Sequence, residues 1–170
     1  MSDTGAHSFE LVEVTVESAT SLPKSVTGEA VASLVEHVLR LECATGRWNV
    51  AFQFTADDEM QRMHREFMGL DSPTDILTFP YDADDWGEAG TPVGSEEKGG
   101  DIVISVDRAR EQADEGEWDV ANELFFLVCH GMLHLLGWDD ASDKDRAEML
   151  DRQRELLSEW TKSASASPSG

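Results

Sequence analysis

The sequence predicts an α/β domain (α+β in its arrangement) built on one small mixed β-sheet of about four strands with helices packed against it. Three observations carry this. Short β-branched or alternating runs interleave with stretches of helical apolar spacing as far as Gly116, and helices alone finish the chain, the pattern of a sheet layered with helices. The 170 residues are enough for one domain with a real core. The two cysteines, Cys43 and Cys129, are no disulfide framework, so packing has to hold the fold. Residues 1–162 read as a single domain containing an acidic loop at 81–100, rich in Asp, Glu and Gly. Residues 163–170 have the Ser/Ala/Pro composition of a disordered tail.

Phe9 to Glu17 are β-branched with partial alternation and read as a strand. Pro23 breaks the chain, and Ser25 or Thr27 can cap a helix. Val31, Leu34, Val35, Val38, Leu39 and Leu41 fall near helical spacing, which predicts an amphipathic helix over 27–43. His37 lies beside that stripe with no partner at metal-ligand spacing, and reads as a surface or core-edge residue. Trp48 to Phe54 alternate with period two, a second strand. Thr55 suits an N-cap, with Asp57, Asp58 and Glu59 in a first turn where the helix dipole favours anions. Met60, Met63, His64 and Phe67 give that short helix an inner face ending at Gly69. Asp71-Ser72-Pro73 is a turn, and Thr74 to Phe79 a third strand stopped by Pro80. Asp101 to Val106 is a fourth strand, and Asp107 can cap the next helix, to about Glu115. After a break at Gly116–Asp119, a strongly apolar helix runs from about Val120 to Leu136. Ser142 or Asp143 opens a last helix with Met149, Leu150, Leu156, Leu157 and Trp160 on one face.

Asp and Glu number 35 against 13 Lys and Arg, a formal net charge of -22. Such a field repels nucleic acid and anionic membranes at low salt. It fits either avoidance of polyanions or a salty cytoplasm in which dense surface carboxylates keep a protein soluble. Arg62, Arg65, Arg108 and Arg110 are the candidates for a local basic patch within it. No run of 18 apolar residues is present, so no membrane association is expected. The first residues lack the basic and apolar parts of a signal peptide, and a cytoplasmic location is expected.

The chemistry concentrates in residues 129–140. His130 and His134 are four positions apart on the apolar helix, one above the other on the same face, where two imidazoles reach one metal ion. Gly137 can end the helix and turn the chain back. Asp140 then stands where a third ligand is needed, with Asp139 as its rival or as an orienting neighbour. Glu123, two turns before His130, is a second candidate for that orienting position, or simply a first-turn carboxylate. Cys129 points about 100° away around the helix and is no ligand. The spacing matches the H-E-x-x-H-x-x-G-x-x-H frame of one metalloprotease group, which predicts a zincin-like metal helix. The protease's general-base glutamate is replaced by Gly131, expected to open space beside the metal for a larger substrate. Metal-assisted hydrolysis is therefore expected, and ordinary peptide hydrolysis is not.

His130-Gly131-Met132-Leu133-His134-Leu135-Leu136-Gly137-Trp138-Asp139-Asp140 resembles the H-G-x-L-H-L-x-G-Y-D-H signature of the YbeY family of endoribonucleases and ribosomal RNA maturation factors. Asp71 to Pro80 is similar to that family's D-x-P-T-D-V-L-S-F-P, and Gly100 to Ser105 to its G-D-I-V-I-S. The resemblance covers roughly residues 10–160. It implies a single zinc ion per chain, held by His130, His134 and Asp140, in a hydrolase that cuts single-stranded RNA. It further implies ribosomal RNA processing at the 3′ end of the small-subunit (16S) RNA, ribosome quality control, and the small subunit with its proteins as partners. Two departures stand out. The third ligand in the family is usually His, and here it is Asp140. An Arg often found three residues before the D-x-P-T-D aspartate, where the family uses it in catalysis or RNA contact, is Met68 here, and Arg65, one turn earlier, is the candidate substitute as a catalytic residue beside the metal-held His130, His134 and Asp140. The rival readings are a metalloprotease-like hydrolase and a non-catalytic ribosome-assembly factor with a structural metal.

Overall fold

The computed structural model describes residues 9–44, 46–68, 75–80, 97–138 and 140–166. Strands β1 (Phe9–Ser18), β2 (Gly46–Thr55), β3 (Ile76–Pro80) and β4 (Glu97–Ser105) form one mixed sheet in the order β1-β2-β4-β3. β1 and β4 run parallel to β2 on either side, and the short β3 closes the edge antiparallel to β4. Parallel neighbours need a crossover, supplied between β1 and β2 by helix α1 (Gly28–Leu41). The remaining helices are α2 (Asp57–Met68), α3 (Val106–Gly116), α4 (Val120–Leu135) and α5 (Asp143–Ala166).

The period-two pattern of β2 sends Trp48, Val50, Phe52 and Phe54 to one face, joined there by Ile102 and Ile104 of β4. Val31, Leu34, Val35 and Val38 of α1 and Leu124, Val128 and Met132 of α4 close this core, all fully buried. Truncating one of them, Met132→Ala for instance, costs about 2–5 kcal/mol. Val103 and Leu77 point to the opposite face, beneath Met60 of α2. The histidine helix α4 and the helix α2 therefore lie on opposite sides of the sheet. α4 is apolar nearly all round because α1, α3, α5, β3 and β4 all pack on it. Among the described residues no helix is long and apolar enough to cross a membrane.

Several local expectations change. Thr27 is the cap of α1, its hydroxyl accepting from the Ala30 N–H at 3.0 Å. Thr55 caps nothing: it ends β2, and its hydroxyl is buried without a hydrogen-bond partner among the described residues. Ser105, not Asp107, caps α3, accepting from the Arg108 N–H at 3.1 Å, because the strand passes directly into the helix. Ser142 caps α5, accepting from the Asp145 N–H at 3.0 Å. β4 begins at Glu97, inside the expected acidic loop, because residues 97–100 complete the ladder with Arg47–Val50. α5 continues to Ala166, four residues into the expected tail. Its Ser/Ala composition is compatible with continuing an existing helix, since propagation is easier than nucleation. The turn at 71–73, Thr74 and residues 81–96 and 167–170 lie outside the described residues.

Candidate metal centre

α4 delivers its two histidines at the end of the most buried helix. It stops in two interlocked hydrogen bonds, Gly137 N–H to the His134 carbonyl at 3.0 Å and Trp138 N–H to the Leu133 carbonyl at 2.9 Å. This is the Schellman pattern, and Gly137 supplies the left-handed conformation it needs with φ of 102°. The chain reverses and brings Asp140 back over α4. Nε2 of His130 and Nε2 of His134 lie 3.1 Å apart, and Oδ2 of Asp140 is 3.7 Å from the first and 3.5 Å from the second. Ligands of a tetrahedral zinc at about 2.0–2.1 Å from the ion lie roughly 3.3 Å from one another, so these three atoms have the spacing of a metal's ligand set.

The outer hydrogen bonds decide what the three atoms are. Nδ1 of His134 faces the Trp138 carbonyl at 3.1 Å; a carbonyl only accepts, so Nδ1 carries the proton. The Gln153 amide donates to the Phe126 carbonyl at 3.3 Å, which turns its oxygen toward Nδ1 of His130 at 2.9 Å. That nitrogen is also a donor. In the neutral imidazoles both Nε2 atoms are bare lone pairs, and they converge with a carboxylate oxygen. Three acceptors meet with no hydrogen between them, an arrangement that a cation satisfies. The His130, His134 and Asp140 group could hold a metal ion, and outer partners of this kind are what fix ligand tautomer and orientation.

The support reaches further. The Trp138 indole N–H donates to Glu42 at 3.0 Å, and the Glu42 carboxylate also takes Arg152 of α5 at 2.5 Å. Glu42 thus anchors the residue whose carbonyl orients His134. Gln153, Trp138 and Glu42 are not singled out by the sequence. Gln153 is 23 positions from His130 and Glu42 lies 96 from Trp138, while the Trp138 group is a backbone carbonyl. A polar residue set between the apolar Met149 and Leu156 of α5 is the one available signal, at Gln153.

Other expectations resolve differently. Glu123 does not orient a histidine: it is buried and accepts from the Trp118 indole at 3.0 Å. Burial raises its pKa, opposed by that hydrogen bond. Cys129 is fully buried, and burial pushes its thiol up to about 12, so it offers no thiolate. Asp139 lies outside the described residues. Gly131 does not open space beside the histidines. It is buried against β4, where a Cβ would stand 2.8 Å from Cδ1 of Ile102, so the missing side chain lets α4 approach the sheet. Arg65 is exposed in the last turn of α2, on the other side of the sheet from α4. The candidate basic patch divides likewise. Arg62 on α2 is engaged by Glu59 and Glu66. On α3, packed on the opposite face, Arg108 pairs with Glu111 at 3.4 Å and Arg110 reaches the Ser21 carbonyl at 3.4 Å.

A family model described as Endoribonuclease YbeY matches residues 13–161, from β1 to α5. The chain belongs to the endoribonuclease YbeY family. The family's proteins named Endoribonuclease YbeY include one from Lysinibacillus sphaericus, 38% identical over 130 residues, covering 76% of this chain and 83% of the relative. Another, from Bacillus subtilis, is 36% identical over 129 residues, covering 75% and 82%. The solution structure of TM1509 from Thermotoga maritima is similar with a TM-score of 0.58 at 26% identity, over 92% of this chain and 94% of that one. The matched region contains all three converging side chains.

Proposed function

We propose that the protein is a zinc-dependent endoribonuclease of single-stranded RNA, with one ion per chain held by His130, His134 and Asp140. Family membership supports RNA as the substrate class. The observation that carries metal dependence is the convergence of three proton-free acceptors, each histidine locked by an outer hydrogen bond. The biological setting we propose is ribosomal RNA processing at the 3′ end of the small-subunit RNA and ribosome quality control, in the cytoplasm, with the small subunit as partner. Residues 1–162 are proposed as one catalytic domain.

A divalent ion at such a site supplies Lewis acidity toward a phosphoryl oxygen and lowers the pKa of water. The chain's own residues set the conditions for that chemistry. Gln153 and the Trp138 carbonyl hold both imidazoles in the ligating tautomer. The Asp140 side chain is 36% exposed, so the site is in contact with solvent. The Asp140 carboxylate adds negative charge relative to an imidazole and tempers the ion's acidity. The position after His130 cannot supply a proton acceptor, because it is a glycine pressed on Ile102. Arg65 is exposed on α2, across the sheet from His130, His134 and Asp140, so this geometry gives its candidate catalytic part no support, and Arg65→Ala should leave metal content and the rate of cleavage unchanged.

The test compares cleavage of single-stranded RNA by wild type and by Asp140→Ala, with casein as the control substrate. RNA cleavage by wild type, lost with the metal in the variant, is the expected result. Well-folded, metal-loaded wild type that cuts no RNA would overturn the reading and favour a structural metal; cleavage of casein would favour the protease. Product ends then choose the nucleophile, since a 2′,3′-cyclic phosphate means attack by the 2′-hydroxyl.

A further inference from the structure

A groove of about 300 Å3 runs between the first half of α4 and the second half of α5. Its floor is Phe126 and Leu157, and its rim carries Trp118, Arg154 and Lys162. Trp118 is 38% exposed, one of two large hydrophobic side chains exposed to that degree among the described residues. Its ring is held edge-on to Phe126 with centroids 5.6 Å apart, and its indole N–H is tied to Glu123. The flat face is therefore fixed in place before any ligand arrives.

The charge of the groove is unlike that of the chain. Its wall contains two cations and no carboxylate, although carboxylates outnumber cations 35 to 13 in the sequence. Lys162 forms no ion pair among the described residues, and Arg154 pairs only with Asp151 at 3.2 Å, both side chains largely solvated; such a pair is readily exchanged. A second groove, of about 380 Å3 on the α2 side of the sheet, has Glu17 and Asp101 in its lining and no cation among the described residues.

The position matters as much as the charge. Asn122, Phe126, His130 and His134 succeed one another at intervals of four along α4. Gln153 spans the seam, bonded to the Phe126 carbonyl on one side and to His130 on the other. The groove therefore continues the same α4–α5 seam as the metal centre. From Asn122 to His130 is about 12 Å of helix, roughly three nucleotides of stacked strand at about 3.4 Å each.

We infer that this groove is a substrate subsite for single-stranded RNA, holding a nucleobase against Trp118 and its phosphates on Lys162 and Arg154, about three nucleotides from the bond that is cut. A fixed aromatic face beside cations is the arrangement that binds single strands without reading sequence. Asn122, Ser158 and Thr161 offer hydrogen bonds to the base edge. The inference rests on the endoribonuclease reading for its ligand and for the spacing to the cut bond.

The test uses the zinc-loaded full chain and fluorescence anisotropy with a labelled, non-cleavable 2′-O-methyl RNA dodecamer, alongside a dinucleotide too short to reach from the metal centre to the groove. Lys162→Glu and Trp118→Ala should each weaken dodecamer binding about tenfold, leaving dinucleotide binding, metal content and the circular dichroism spectrum unchanged. Lys162 is exposed, so its variant keeps the test valid should Trp118→Ala fold poorly. Unchanged dodecamer affinity in Lys162→Glu overturns the subsite, as does an equal loss for the dinucleotide. A wild-type dimer that Lys162→Glu dissociates in sedimentation assigns the groove to a second copy and also overturns it. Groove-dependent binding by a wild type that cleaves no RNA keeps the subsite and overturns the nuclease reading alone.

Discussion

His37 and the pair His130 and His134 sit in the same helical layer, and each has a ring nitrogen bonded to a main-chain or amide oxygen. His37 donates its Nε2–H to the Leu156 carbonyl at 3.1 Å and stands alone on α1. His130 and His134 donate from Nδ1, so their Nε2 lone pairs face one another and Asp140. Burial and hydrogen bonding are common to both regions. What separates a structural histidine from a ligating one is which nitrogen is spent outward, and whether the other meets further acceptors.

The largest effect expected from that contrast is at Asp140. Asp140→Ala should lower zinc affinity more than about 100-fold and abolish RNA cleavage, whereas His37→Ala should leave zinc content at wild-type level. Metal analysis of both purified variants checks this, and equal occupancy in Asp140→Ala would remove the carboxylate from the ligand set. Next comes Gln153, which bonds to His130 alone of the trio. Gln153→Ala frees His130 to rotate and exchange tautomers, and should cost about 10–100-fold in zinc affinity, measured by competition with a chromogenic chelator. An unchanged affinity would mean that the outer bond on His130 is incidental.

Gly131 sharpens the contrast between position and proximity, since it adjoins His130 in sequence but faces the sheet. In Gly131→Ala the Cβ meets Ile102 at 2.8 Å. Overpacking costs about 1–3 kcal/mol, against roughly 1 kcal/mol that alanine gains over glycine in a helix. The net expectation is a modest fall in thermal stability, partly recovered by Ile102→Val. A rise in Tm would show that Ile102 yields freely and that glycine is not required there.

The smallest effect concerns pH. Burial lowers the His37 pKa from its ordinary 6.5, opposed by its bond to the Leu156 carbonyl. The folded state therefore resists a proton that the unfolded chain accepts. The corresponding stability is present above 6.5 and is lost as pH falls from there toward the lowered folded value. His37→Gln can keep a donor to Leu156 without titrating, and should flatten the acid limb of the Tm–pH curve. An identical limb in the variant would place that pH dependence elsewhere.

Much of the fold is legible in the sequence because its signals are local. The alternation of Trp48 to Phe54 and the stripe of α1 each carry their own burial pattern, and Gly137 marks the end of α4 by a conformation that few other residues adopt. The trio at 130, 134 and 140 is legible for the same reason, since helical periodicity and one turn decide where those side chains go. Thr55 and Asp107 look like caps but are not: Thr55 is still paired in the ladder of β2, one residue before Ala56, from which the chain enters α2, and Asp107 already lies inside the helix that β4 runs directly into.

Sequence alone determined that two histidines share a helix face and that the chain turns back with a carboxylate within reach. Tertiary structure decided what those groups become. Gln153 from α5 and the Trp138 carbonyl, itself steadied by Glu42 beyond α1, select the ring nitrogens that converge. Gly131 takes its meaning from Ile102 on a strand far away in the chain. Spacing along a helix is a property of neighbours in sequence; tautomer, packing and the charge of a groove are set by partners that only folding brings together.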